Sequence, residues 1–123
     1  MDITDREVES LKHMLKTFGS QVPDEKSANR HSYLMLVMVR RLMGIFVEKR
    51  NKKAEELLAD LLSHENESIR FLALSVLWDA ENAETELDPK TCIKLIQFRN
   101  NPVNQRISKI VYSSLKAEKA PWN

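Results

Sequence analysis

Glycine and proline are scarce in this chain. Gly19 and Gly44, with Pro23, Pro89, Pro102 and Pro121, are the complete set in 123 residues. So few turn-forming residues exclude a fold of many short strands and suit long helices joined by short connections. Cysteine is scarcer still. The single Cys92 excludes an internal disulfide framework and fits a reducing, cytoplasmic setting, leaving only pairing between chains open. Charge of one sign is not in excess: the net charge is +1, so bulk electrostatics neither demands nor excludes nucleic acid, and any binding footprint is local. A long apolar run is also missing. The most apolar stretch, Tyr33 to Val47, falls short of the roughly 20 residues that span a bilayer, and Arg40 and Arg41 at its middle would each cost about 2.5 to 3.5 kcal/mol in membrane. The opening Met1-Asp2-Ile3-Thr4-Asp5-Arg6-Glu7 is charged from its second residue and lacks the apolar core of a signal peptide, so no export signal is expected. A chain of this length is expected to form one domain with a core of its own, without staples.

What is present is helical periodicity, and in the second half it occurs twice. Leu58, Leu61, Leu62, Ile69, Ala73, Val76 and Leu77 map at a constant offset of about 34 residues onto Cys92, Leu95, Ile96, Val103, Ile107, Ile110 and Val111. That period lies in the range of stacked helical hairpins. Six helices are predicted. The first, about 4–18, starts on a Thr4/Glu7 capping box, buries Val8, Leu11, Leu15 and Phe18, and closes on a left-handed Gly19. The second, about 27–50, is apolar nearly all round and is expected to be central. The third, about 52–63, carries Ala54, Leu57, Leu58, Leu61 and Leu62 on one stripe. The fourth, about 67–80, is capped by Asn66 and carries Ile69, Leu72, Ala73, Val76 and Leu77. An acidic, solvated break over 81–87 precedes the strong start signal Asp88-Pro89 and a fifth helix to about 98. Pro102 opens the sixth, about 102–116, which buries Val103, Ile107, Ile110, Val111 and Leu115, and 117–123 is a frayed tail.

The segment from Leu61 through Ser63-His64-Glu65-Asn66 to Leu77 resembles the inner part of a HEAT repeat: a leucine-rich helix end, a short polar turn, then the pair Ile69-Arg70 followed by Ala73 to Leu77. The likeness is clearest over residues 54–80. Over 88–116 it rests on apolar spacing, because Asn104 stands where Arg70 would recur, and the first two helices show no match. The resemblance implies an all-α fold of about six helices in stacked antiparallel hairpins, an α-solenoid or a compact helical bundle. It also implies partner recognition by a scaffold rather than catalysis.

The candidate functional residues follow from the second helix. Met35, Met38, Val39, Leu42, Met43 and Phe46 cover one broad side, while Tyr33, Leu36, Val37 and Val47 surround Arg40 on another. A helix with two apolar faces needs cover twice, so Tyr33, Val37, Arg40 and Arg41, with Trp122 in the tail, are the protein-interface candidates. The partner is a protein, a second copy included. The alternative is a nucleic-acid backbone gripped by Arg40, Arg41, Lys49, Arg50, Lys52 and Lys53 at the basic junction, which a solvated helix end also explains. Trp78 is read as a packed anchor and Cys92 as a small buried residue. The acidic run Asp79, Glu81, Glu84, Glu86 and Asp88 lacks the EF-hand glycine and terminal glutamate. His13, His31 and His64 lack the pairing of zinc motifs, and no phosphate loop is present. No metal, cofactor or catalytic set is expected.

Overall fold

The computed structural model describes residues 3–19, 21, 23–83 and 86–118 of the chain. The fold is all-α, with six helices and no strand among the described residues. They are α1 (Ile3–Gly19), α2 (Ala28–Lys49), α3 (Lys52–Leu61), α4 (Glu67–Asn82), α5 (Pro89–Asn100) and α6 (Gln105–Glu118). No helix is long and apolar enough to cross a membrane. The chain divides into two compact units, Met1–Leu58 and Ala59–Asn123, the division falling inside α3.

In the first unit α1 and α2 pack as an antiparallel hairpin. The direction follows from its cross-links: Phe18 near the end of α1 stacks on His31 near the start of α2, whereas Glu7 near the start of α1 meets Arg41 far along α2. Val8, Leu11 and Leu15 are buried from α1, and Met35, Val39, Leu42, Ile45 and Phe46 from α2. Full burial of side chains of this size contributes about 1.5 to 3 kcal/mol each, which sets the hairpin's rigid side. Phe18 is only half-buried. His31 Nε2 donates to its carbonyl at 2.7 Å, so the ring both covers Phe18 and satisfies a carbonyl at the helix end.

Two expectations at helix ends are corrected. Helix α1 runs through Gly19, and the left-handed residue is Arg50, at φ 50°, whose N–H donates to the Phe46 carbonyl at 2.9 Å and closes α2. The capping box at Thr4 does not form with Glu7. Thr4 lies inside the first turn, and the Glu7 carboxylate receives the Arg41 guanidinium. An ionic partner competes better for a carboxylate than a neutral amide does. Helix α2 starts just after Ser27, whose amide and hydroxyl both donate to Asp24 Oδ1 at 2.9 and 2.8 Å. Those bonds, the hydroxyl's first, hold the Asp24 carboxyl below its ordinary value.

In the second unit α6 packs on both α4 and α5. Asn66 caps α4, its side chain accepting from the Ile69 amide at 3.2 Å, and Asp88 caps α5, accepting from the Lys90 amide at 2.9 Å with Pro89 in the first turn. Asn101 repeats the device for Val103 N–H at 3.1 Å, but Pro102–Asn104 forms a 3₁₀ turn, so α6 begins three residues later than the periodicity alone placed it. Leu61, Leu62, Ile69, Ala73, Leu74, Val76, Leu77, Leu95, Phe98, Ile107 and Val111 are buried. Leu87, assigned to a solvated break, is buried as well.

The expected burial of the sixth helix is overturned at two positions, and the 34-residue correspondence does not extend to burial at a third. Val103 is 71% exposed although its counterpart Ile69 is 0% exposed, and Ile110 and Ile96 are exposed where Val76 and Leu62 are buried. Helical spacing names a stripe on a helix, but whether another element covers that stripe is a long-range matter. Leu72, assigned to the α4 stripe, and Cys92, expected to be buried, are both half-buried. The Leu115 side chain lies outside the described side chains.

Candidate functional site

The outer face of α2 carries the interface candidates. Tyr33 is 66% exposed, Val37 45% and Val47 51%, and Arg40 and Arg41 are exposed with them, while the opposite face of the same helix is core. Tyr33, Val37, Arg40, Gly44 and Val47 follow one another at steps of four, three, four and three residues, which keeps all five on a single stripe. Leu34 borders it and is exposed, whereas Leu36, read as part of this face, is half-buried. Trp122, the fifth candidate, lies outside the described residues.

Gly44 is the residue that sequence reasoning missed. A Cβ built on it meets nothing within 4 Å, and its φ is not positive, so no packing or backbone demand within the chain calls for glycine there. Glycine inside a helix costs about 1 kcal/mol relative to alanine. The available signal was its register: Gly44 continues the Tyr33, Val37, Arg40 spacing.

Arg41 is anchored by a two-pronged pair with Glu7, Nε to Oε2 at 2.8 Å and Nη2 to Oε1 at 2.7 Å. The hydrogen bond from Arg41 holds the Glu7 carboxyl below its ordinary value, and the same bond raises the guanidinium's. Both groups are well exposed, so the pair orients Arg41 more than it stabilises the fold. Lys53 Nζ reaches Glu9 Oε1 at 3.2 Å. Asn51 ties α1 to the start of α3, donating to Asp5 Oδ1 at 2.8 Å and accepting from the Ala54 amide at 2.9 Å.

These pairings bear on the basic junction. Of its six cations, Arg41 and Lys53 are engaged by α1 carboxylates, and the Arg50 guanidinium lies 5.7 Å from the centroid of the Phe46 ring. Arg40, Lys49 and Lys52 stand exposed. Glu7, Glu9 and Glu48 are interleaved with the cations, so the surface is mixed in sign rather than a basic track.

A second feature lies in the Ala59–Asn123 unit, where a concavity of about 380 Å³ is lined by His64, Glu65, Arg70, Lys94, Asn101 and Asn104 among others. Several of its polar groups are engaged within the chain. Arg70 Nη1 donates to the carbonyls of His64 and Glu65, both at 2.8 Å, and Lys94 pairs with Asp60. Buried Asn104 donates through Nδ2 to the Phe98 carbonyl at 3.2 Å. Arg70 Nε and Asn104 Oδ1 have no partner, but both atoms are sealed from solvent and therefore out of a ligand's reach. Burial lowers the His64 pKa below its ordinary 6.5, and its Nδ1 accepts from the Asn66 amide at 3.0 Å, which leaves the ring proton on Nε2. Trp78 is half-buried, with the Arg99 guanidinium 5.8 Å from its ring centroid. Among the described residues no three His, Cys, Asp or Glu side chains converge as metal ligands.

The chain matches no family model, no curated protein and no solved structure. The α2 stripe can therefore be read only through its own chemistry: an apolar ridge interrupted by a glycine, bordered by one anchored and one unanchored guanidinium. Such a surface offers apolar area and directional charge to another protein surface.

Proposed function

We propose that this chain is a noncatalytic protein-protein interaction module, a small adaptor built from HEAT-like helical hairpins and working in the cytoplasm. The observation that carries the proposal is the stripe of exposed Tyr33, Val37, Arg40 and Val47, with half-buried Gly44 among them, on a helix whose other side is core. Contiguous exposed apolar area rimmed by polar groups marks interaction sites on soluble proteins. Tyrosine and arginine are also the residue types enriched where binding energy concentrates.

The hairpin reading is supported by a shared hydrogen bond. Arg70 donates to the carbonyl of His64 and Asn104 to that of Phe98, a reach of six residues in each case, and both the donors and the acceptors are separated by the same offset of about 34 residues. The ion pair between Asp60 and Lys94 joins residues with that separation too. The mixed signs around Arg40 to Lys53 favour a protein over a phosphate backbone, since the Glu7 and Glu9 carboxylates that pair with Arg41 and Lys53 compete with phosphate for two of the six cations.

Immobilised chain tests the reading. Proteins retained from a lysate by the natural chain are expected to be lost with Val37→Lys and with Tyr33→Ser, while substitutions on α1 such as Lys12→Ser leave them unchanged. Retention that is indifferent to the α2 variants overturns the α2 assignment. Retention of nucleic acid that falls steeply with added salt moves the function to the basic junction.

A further inference from the structure

We infer that the occupant of the α2 stripe is a second copy of this chain, its α2 lying antiparallel across the first and crossing it at Gly44. The inference rests on the reading of α2 as a docking surface and adds its partner and geometry.

Two observations converge on Gly44. The glycine is not required by its own chain, because the space a Cβ would fill holds no atom within 4 Å. A missing side chain on an exposed helix face matters to whatever approaches from outside, since it lets two backbones come closer than the usual 8–10 Å between helix axes. The residues flanking it along the stripe are the exposed Val37 and Tyr33 on one side and Val47 on the other. They offer apolar cover on both arms of a crossing.

Charge fixes the occupant and its direction. Arg40 lies one helical turn before Gly44 and Glu48 one turn after it, and neither has an ion-pair partner among the described residues. A two-fold axis through the crossing brings Arg40 of each copy opposite Glu48 of the other, so the pairing is made twice, as in an isologous interface. A parallel copy would set Arg40 against Arg40. Such like-charge contact selects against the wrong orientation.

Sedimentation equilibrium of the full chain, from about 5 to 500 µM, tests the inference in the range where weak dimers form. The weight-average mass is expected to climb from that of the monomer towards twice that value. Gly44→Leu is expected to return it to the monomer at every concentration. Because a Cβ at this position meets no atom within 4 Å and leucine favours helix, the variant's thermal unfolding midpoint at about 5 µM, where the natural chain is mostly monomer, stays equal to or above the natural one, which separates lost docking from lost folding. Arg40→Glu weakens the dimer by about tenfold, and Arg40→Glu with Glu48→Arg restores it to within about threefold. A natural chain that stays monomeric at the highest concentration overturns the inference. So does a dimer indifferent to Gly44→Leu, or one that Glu48→Arg fails to rescue. A strict monomer that still retains other proteins through Val37 loses only the self-docking inference. A strict monomer without Val37-dependent retention loses the docking surface as well.

Discussion

The α3–α4 turn with α4, and the α5–α6 turn with α6, are spelled by similar residues and make the same bond, yet they differ in what is hidden. Each uses an asparagine as a cap, Asn66 for α4 and Asn101 for the 3₁₀ turn that leads into α6, and each sends a side-chain donor back to a carbonyl six residues earlier. Even so, Leu62, Ile69 and Val76 are buried, whereas Ile96, Val103 and Ile110, their counterparts at the common offset, are exposed. The difference teaches that the local grammar of a hairpin and the covering of its faces are separate achievements. Short-range hydrogen bonds build the first, and neighbours supplied from elsewhere in the chain decide the second.

The comparison is sharpest at Ile69 and Val103. Truncating fully buried Ile69 to Ala removes packed atoms and leaves a cavity, so it is expected to cost about 2 to 5 kcal/mol in urea unfolding. Val103→Ala, at an exposed site, is expected to stay within about 0.5 kcal/mol. Equal losses would break the comparison. Next come the two turn locks. Arg70→Met removes a guanidinium that serves two carbonyls and is expected to cost about 2 kcal/mol, because hydrogen bonds from a charged group are the stronger kind. Asn104→Ala removes one neutral bond to the Phe98 carbonyl, with an expected cost of about 1 kcal/mol in the same measurement. A reversed order would show that Asn104, and not Arg70, is the stronger lock.

The smallest expected effect depends on pH. His64 occupies the position that Phe98 fills in the second turn, and burial lowers its pKa from 6.5. As pH falls below 6.5 the unfolded chain takes up the proton before the folded one does, so stability is lost from there down through the lowered folded value. His64→Phe is expected to flatten this decline, read as the change in urea midpoint between about pH 7.5 and pH 5. An unchanged slope would place the titration elsewhere.

Local chemistry was legible where its partners are close in sequence. Asn66, Asp88 and Pro89 announced the starts of α4 and α5 because a cap needs only the next two or three amides. The two-sided character of α2 was readable for a similar reason: 3.6 residues per turn converts spacing into faces, and both the buried Val39 and Leu42 and the exposed Tyr33 and Val37 fall where that conversion puts them. Asn104 looked like a departure from the pattern set by Arg70, yet it makes the equivalent bond, since an amide N–H and a guanidinium N–H offer the same carbonyl a donor. What escaped was everything set by distant neighbours. Glu7 was assigned to a cap and instead binds Arg41, and Glu9 pairs with Lys53. Gly44 escaped because a missing side chain leaves no mark in an apolar pattern.

The sequence by itself determined the all-α class, the six helices to within a few residues at their ends, and which residues share a stripe on each helix. Those properties arise from backbone dihedral preferences, capping and helical periodicity, all of which act over a turn or two. Only the tertiary structure decided which stripes are covered, which carboxylate meets which cation, and that the α2 ridge around Gly44 stands open. Burial and ion pairing depend on three-dimensional neighbours, and the distance in sequence from Glu7 to Arg41 gives no sign that they will be close in space.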